Sequence, residues 1–524
     1  MKQRFRLIEA LVCVTAVLAA AAWAVREHVM VAILPFDDAF ITYRYVENLT
    51  RGAGFAYNPS IPVWGFTSPL YLFWLSGLRA IFATADLPTL AVRTNVVFVI
   101  AAGLTTLFLV RRYTDGLKAA SVAACVLLAH PSLLSVSSGG MEPGLFLALV
   151  LLALLSHTYD RPVLTGALIG LAFLARPEAV ILLPLTAIAY RRNLRRLLAL
   201  LIAAGIVAGA WLGFAAVYFG SIIPLPIVAK NTPLYPLPPG HALGVIFGYM
   251  GPAVVGPWSA SSLTRDVIVG VIVLAATAVC IAERSLRARH AWMPGVFAIL
   301  AVALYWYGNP MFFEWYWPPI LGTVLITLIL GGVGVWRLVA ARSERTEVSA
   351  FRRYGAAVGY WAVPAWVIAM TVAAYGDNAG GHSKSIRFVH EDPTRLRILT
   401  YRHVGERLTA LTGGSASIAA AEVGALGYYY TGRMIDACGL VSPEAIRFLS
   451  VPDEQRMGPA AGAISVELLR GTYPEWVVSM PIFIQNSLLK SDWFWKYYEL
   501  KGTVRLPKLC FDSKYVMVFK RRPH

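Results

Sequence analysis

The chain has 524 residues, 57% of them hydrophobic and 14% charged, with a formal net charge of +17, and its mean hydropathy is +0.61. Such apolarity excludes an ordinary soluble domain and indicates a polytopic membrane protein. The positive charge does not indicate a nucleic-acid binder, because Lys and Arg fall in short loops between apolar runs, as the positive-inside rule requires.

The first apolar run, Leu7 to Ala24, follows Lys2, Arg4 and Arg6. It resembles a signal peptide, but it is long enough to span and Val25-Arg26-Glu27-His28 is a weak cleavage context, so it reads as an uncleaved anchor with a cytoplasmic N-terminus. Next comes Pro35-Phe36-Asp37-Asp38-Ala39-Phe40-Ile41-Thr42-Tyr43-Arg44-Tyr45. Acids at the lip of a membrane are costly and are functional-site candidates by default; the plainer reading is that Asp37 and Asp38 cap the helix that follows. The run from Phe40 to Thr50, with Arg44, Glu47 and Arg51 among its apolar residues, predicts a helix lying in the interface plane. From Trp64 to about Phe82 the chain is expected to be re-entrant or interfacial, since a full span there would put the later basic loops on the wrong side.

Further spans are expected near 88–110, 119–134, 143–157, 163–175, 177–190, 197–218, 266–283 and 291–307, then one reaching Arg337 and a last one over 355–375, with 242–257 interfacial. Arg111-Arg112, Arg191 to Arg196, Arg284 to Arg289, and Arg342, Arg345, Arg352 and Arg353 then all fall on the cytoplasmic side. About eleven spans satisfy the length and charge rules in one orientation. Residues 376–524 have the charge density of a soluble domain, with a helix near 393–411 and strands near 418–421, 433–436, 476–478 and 515–519, which predicts a small extracytoplasmic α/β unit after a membrane domain of 1–375. Cys438 and Cys510 lie in this tail and are potential disulfide partners there; Cys13, Cys125 and Cys280 read as small buried hydrophobes.

In this topology the unusual polar residues collect on the outer face: Asp37, Asp38, Glu142, Arg176, Glu178, Lys230 and Glu314, with Tyr43, Trp64, Trp315, Tyr316 and Trp317 around them. A carboxylate with a tuned pKa can take the proton of an attacking hydroxyl. Arg and Lys can hold phosphate oxygens, and aromatic rings suit sugar faces. Together these groups point to glycosyl transfer from a lipid-linked phosphate. Plainer readings stand beside this one. Arg176 and Lys230 fit snorkelling anchors, Glu142 and Glu178 fit helix-start acids, and Phe312 to Trp317 fits an interfacial aromatic belt. A transporter or flippase of polyprenyl-linked glycans is the alternative function, although no internal repeat is visible.

Several blocks carry a resemblance. The succession Asp37-Asp38 to Tyr45, Gly52-Ala53-Gly54-Phe55-Ala56-Tyr57-Asn58-Pro59 and Gly65-Phe66-Thr67-Ser68-Pro69-Leu70 resembles the first periplasmic loop of GT-C fold glycosyltransferases. It is most similar to the branch of the mycobacterial terminal β-(1→2)-arabinofuranosyltransferase. Ser138-Gly139-Gly140-Met141-Glu142, Gly166 to Glu178 and Tyr218 to Lys230 agree, as do Ala421 to Tyr429 and Ile435 to Val441 in the tail.

The resemblance implies a polytopic α-helical membrane protein of GT-C fold, with about 11 transmembrane helices, interfacial helices and the C-terminal α/β domain. Its expected place is a bacterial inner or plasma membrane, with the active site extracytoplasmic. It implies a polyprenyl-phosphate sugar donor, first of all D-arabinofuranose with mannose as another option, and a cell-envelope glycan or lipoglycan acceptor. Asp37 or Asp38 would be the catalytic carboxylate, with Arg176, Lys230, Tyr43 and Arg44 on the donor side and Glu142, Trp64, Glu314, Trp315 and Tyr316 toward sugar or acceptor. No cofactor is certain, although two acids beside a phosphate could hold a divalent cation.

Overall fold

The computed structural model describes residues 2–30, 34–231, 235–255, 262–343, 350–375, 390–458 and 461–523. Its helices in chain order are α1 (Lys2–Met30), α2 (Asp37–Thr50), α3 (Pro69–Ile81), α4 (Leu87–Thr94), α5 (Val96–Thr114), α6 (Leu117–Ala129), α7 (Pro131–Ser137), α8 (Pro143–Thr158), α9 (Pro162–Ala175), α10 (Leu182–Tyr190), α11 (Leu194–Tyr218), α12 (Leu225–Asn231) and α13 (His241–Val255). They continue with α14 (Ser262–Ala282), α15 (Arg284–Ala288), α16 (Met293–Gly308), α17 (Pro318–Ser343) and α18 (Ala350–Ala373), and the tail adds α19 (Pro393–Thr412), α20 (Gly424–Tyr429), α21 (Val466–Thr472) and α22 (Asp492–Tyr497).

Among the described residues, five segments are each long and apolar enough to cross a membrane: Arg6–Met30, Leu87–Thr114, Leu194–Tyr218, Leu263–Ala282 and Pro318–Ala341. The pair α6 and α7, bent by 51°, makes a sixth if it is one span. The other expected spans are apolar helices of 10–17 residues, several opened by a proline at their start, such as Pro143, Pro162 and Pro294. Proline is favoured in a first helical turn but cannot continue a helix from the preceding residues. A 16-residue helix such as α8 rises about 24 Å, less than the ~30 Å of a hydrocarbon core. The stretch near 242–257, expected to be interfacial, contains α13, which packs on α14, α16 and α18. Residues 256 and 257, Arg345 and the first residues of the expected tail domain, 376–389, lie outside the described residues.

The tail carries a five-stranded sheet of β1 (Ser417–Ala420), β2 (Arg433–Asp436), β3 (Trp476–Ser479), β4 (Tyr498–Cys510) and β5 (Ser513–Arg521), in the order β2-β1-β3-β5-β4. The first three pair in parallel, and β5 runs antiparallel to β3 and β4. Four of the strands lie where the sequence reading expects them. The fifth, β4, is an edge strand whose side chains are mostly exposed and include Lys501, Pro507 and Lys508, the residues that blunt an edge and erase an alternating pattern. Cys438 and Cys510 are both free and buried. The Cys438 thiol donates to the Ala421 carbonyl at 3.2 Å, so the disulfide considered for this pair is not formed.

Two buried polar side chains organise the loops that carry the site. Asn95, at the joint of α4 and α5, donates to the carbonyls of Ser137 (2.9 Å) and Met141 (2.8 Å) and accepts from the Tyr71 hydroxyl (3.0 Å). It thereby pins the Ser138–Glu142 turn to the bundle. That turn needs its glycine, because Gly140 has φ +72° and a Cβ there would meet the Tyr43 hydroxyl, which donates to the Gly140 carbonyl at 2.8 Å.

The second organiser is Arg44. Its Nε donates to the Tyr57 carbonyl (2.8 Å), Nη1 to those of Gly427 and Tyr430 (3.0 Å for the latter), and Nη2 to Gly432 (2.7 Å) and Asn58 Oδ1 (3.4 Å). Asn58 in turn exchanges hydrogen bonds with the backbone of Met434 at 2.8 and 2.9 Å, and the Tyr57 hydroxyl donates to Val423 O at 2.5 Å. One continuous apolar core runs from α2 through the bundle into the tail. Helix α2 is therefore not an interfacial helix with a polar face in water. Most of it, Arg44 and Glu47 included, is buried, between α3 and α4 on one side and α20 on the other.

Arg44→Met should strand the carbonyls of Gly427, Tyr430 and Gly432 without donors, and each buried orphan costs about 1–3 kcal/mol. The expected outcome in detergent is a clearly lowered melting temperature, with the tail cut by protease under conditions where the wild type resists. Unchanged melting and proteolysis would contradict this role.

Candidate active site

The paired acids separate as soon as the fold forms. Neither caps α2, whose N-cap residue, Phe36, has no side-chain cap bond. Asp37 points into the tail, where its two oxygens accept from the backbone N–H of Ala425 (2.9 Å) and Gly424 (3.2 Å). The contact is so close that a Cβ on Gly424 would overlap the Asp37 carbonyl oxygen. Burial pushes Asp37 up to about 7, the Glu422 carboxylate adds to the rise, and Arg397 opposes it. Asp38 is only partly buried and takes no hydrogen bond among the described residues. Burial raises its pKa as well, while Lys230 first and Arg397 second pull it back. Asp38 is thus the acid with free oxygens, set between a cation of the membrane part and a cation of the tail.

Lys230 is held by α12, whose first residue, Leu225, donates its N–H to the Trp64 carbonyl at 2.8 Å. Ala229 of the same helix is sealed into the tail's core beside Ala419, Ile435 and Ala437. The Lys230 ammonium donates to the Tyr316 hydroxyl at 2.8 Å and lies 5.2 Å from the Phe313 ring centroid. On the face of Tyr316 sits the Arg176 guanidinium, 4.5 Å from the centroid. Arg176 does not snorkel. It is 5% exposed and pairs with Glu142 Oε1 at 2.8 Å and Glu178 Oε1 at 2.7 Å, and Glu178 also accepts from the Tyr305 hydroxyl. Glu142 stands at the start of α8 without a side-chain cap bond, so pairing Arg176 is its visible role. Two carboxylates on one guanidinium leave this cluster without free positive charge, whereas the hydrogen-bond partner of Lys230 is a neutral hydroxyl.

Other expected contacts resolve differently. Arg44 has committed all five N–H donors to the chain, and the Tyr43 hydroxyl is spent on Gly140, so neither has a donor left for a phosphate. Trp64 is 6% exposed, lies nearly parallel to Phe219 at 5.9 Å and meets Trp211 edge-on. Trp315 stacks on Phe313 at 4.7 Å and packs against Phe36. Phe312, Trp315 and Trp317 are all buried, so this segment is core rather than an interfacial belt. Glu314 is an electrostatic neighbour of Arg395 and Tyr249.

Sequence reasoning missed the residues that the tail brings in. Arg397 pairs with Glu422 Oε1 through Nε (2.9 Å) and Nη2 (2.8 Å). Asp436, fully buried and raised to about 7 by burial, accepts from the N–H groups of Cys438, Leu440 and Val441. Glu422 and Asp436 sit inside quoted motif blocks, which was the available signal; Arg397 is one of several arginines on α19 and had none. Among the described residues no three His, Cys, Asp or Glu side chains are grouped to hold a metal ion, and both Asp37 oxygens face backbone amides.

Residues 390–519 match a family model described as a domain of unknown function (DUF8728). No curated protein matches the chain. Among solved structures, the oligosaccharyltransferase AglB from Archaeoglobus fulgidus, in complex with an inhibitory peptide and a dolichol-phosphate, is similar at a TM-score of 0.52 and 14% identity, over 98% of this chain and 74% of that one. ArnT from Cupriavidus metallidurans bound to undecaprenyl phosphate is similar at 0.56 and 14% identity, over 97% of each chain. Its apo form gives 0.57. The chain has the GT-C fold, with a small five-stranded domain at its C-terminal end.

Proposed function

We propose that this chain is a membrane glycosyltransferase that moves a sugar from a polyprenyl-phosphate donor to a hydroxyl of a cell-envelope glycan, on the extracytoplasmic face. The observation that carries the reading is Asp38, a carboxylate free of hydrogen bonds among the described residues, with the Lys230 ammonium as the nearby charge that most favours its ionised form. The fold likeness to proteins solved with dolichol-phosphate and undecaprenyl phosphate supports the donor class. The distribution of basic loops supports the orientation. D-Arabinofuranose is the first sugar to test, on the strength of the motif blocks around Asp37-Asp38 and Ala421-Glu422.

In this mechanism the lipid tail stays in the bilayer and Lys230, held by Tyr316, receives the phosphate. Asp38 takes the proton of the acceptor hydroxyl as its oxygen bonds to the anomeric carbon. The bond from that carbon to the phosphate oxygen breaks, and polyprenyl phosphate leaves with the electron pair, its charge met by the Lys230 ammonium. Arg176, already neutralised by Glu142 and Glu178, fixes the Tyr316 ring and through it Lys230.

Purified protein should release polyprenyl phosphate from polyprenyl-phosphoryl arabinofuranose only when an oligo-arabinofuranoside acceptor is present. Asp38→Asn should lower kcat by roughly 10²–10⁴, the range of a lost general base. Asp37→Asn, which keeps one oxygen for Ala425 or Gly424 and sets its NH2 against the other N–H, should lose stability more than kcat. Equal activity in Asp38→Asn and wild type would overturn the assignment.

The pH dependence has a definite sign. Asp38 must be ionised to act, and burial raises its pKa, so kcat/KM should climb with pH through a limb above the ordinary aspartate value of about 4. Lys230 opposes that rise, so Lys230→Met should move the limb to still higher pH while raising the donor KM. An acid limb that Lys230→Met leaves in place would contradict the pairing of these two residues.

A further inference from the structure

The loop Ala421-Glu422-Val423 is the point where the tail meets the paired acids. It leaves β1 and enters α20, whose first N–H groups are held by Asp37, and the Val423 carbonyl is held by Tyr57. With Arg44 and Asn58 gripping the residues that follow, the loop is clamped at both flanks against the first long loop of the membrane part. Glu422 is presented by this clamp. Arg397 fixes one of its oxygens through two N–H groups, and the Tyr401 hydroxyl is within hydrogen-bonding reach of the same carboxylate. The other oxygen, Oε2, is buried and accepts no hydrogen bond of good geometry among the described residues. Asp37 and Asp38 both feel the Glu422 charge, so this carboxylate of the tail lies close to the paired acids, while Lys230, on α12, is another charged neighbour of Asp38.

A buried carboxylate oxygen without a donor is costly unless something supplies one. A sugar hydroxyl is a donor of the right kind, and an Arg–carboxylate pair is a rigid support for it. We infer that the C-terminal domain, which carries no assigned role, forms the acceptor side of the pocket, and that Glu422 binds a hydroxyl of the acceptor glycan next to the one that Asp38 deprotonates. Arg397 is the positioning residue for Glu422. This rests on the glycosyltransferase reading and adds to it the residue that selects the acceptor.

The test uses the full-length protein with polyprenyl-phosphoryl arabinofuranose and an oligo-arabinofuranoside, comparing wild type with Glu422→Gln, Glu422→Ala and Arg397→Lys. Transfer kinetics are read alongside direct titration of each substrate. Loss of a hydrogen bond to a charged group predicts an acceptor KM and Kd at least about tenfold higher in Glu422→Ala, with the donor Kd unchanged. Glu422→Gln, whose one oxygen stays with Arg397 so that an NH2 donor replaces Oε2, should also weaken acceptor binding, and Arg397→Lys should move the acceptor constants in the same direction. A Glu422→Gln protein that melts like wild type and binds acceptor like wild type would overturn the inference. So would a matching loss of donor binding, which would make Glu422 a general support of the pocket. If wild-type protein binds the acceptor but releases no polyprenyl phosphate, the glycosyltransferase reading fails, and the titrations still decide the place of Glu422.

Discussion

A guanidinium cannot be buried unless its donors are met, and Arg44 meets that constraint by tying two parts of the molecule together. Its partners are carbonyls of its own loop and of the tail, so the charge is satisfied only when the sheet domain is docked on α2. Arg395 makes a less complete contact from the other side: buried on α19, it donates to the carbonyls of Ser135 and Leu34 and covers the Phe36 ring at 4.1 Å, while its Nε has no partner among the described residues. Asp37 and Asp38 lie in the chain between Phe36, which Arg395 covers, and Arg44. Their placement therefore depends on domain docking as much as on the membrane bundle.

Within that frame, neighbouring residues of one type acquire different jobs from their surroundings. Asp37 and Asp38 are adjacent in sequence, but one is closed off by two backbone amides and the other faces Lys230. Pushing two like groups into unlike environments is a general way of separating a structural acid from a reactive one. The cations divide in the same manner. Arg176 is neutralised by Glu142 and Glu178, and Arg44 is exhausted by carbonyls. Lys230 has a neutral tyrosine hydroxyl as its hydrogen-bond partner and Asp38 as a charged neighbour.

Much of this was legible in the sequence because apolar length and charge placement are local signals. The long spans, the helix near 393–411 and four of the five strands follow from them. So did the candidates Asp38, Lys230, Arg176 and Glu142, as costly groups at the ends of apolar runs. What was not legible depends on partners far away in the chain. Nothing local distinguishes Arg44, bound to carbonyls nearly 390 positions on, from a phosphate ligand. Helix α2 reads as interfacial until α20 covers its polar face, and the Phe312–Trp317 cluster reads as a belt until Phe36 and Tyr249 pack on it. The edge strand β4 conceals itself by the charges that keep it from pairing further.

The central claim is spatial: a donor phosphate belongs at Lys230, with the sugar between it and Asp38. The most direct measurement is a structure of the full chain in lipid with bound polyprenyl phosphate. The account predicts phosphate oxygens within roughly 2.7–3.2 Å of the Lys230 ammonium, and Asp38 open to the space beyond the phosphate. A phosphate bound away from Lys230, or one separated from Asp38 by protein, would contradict it.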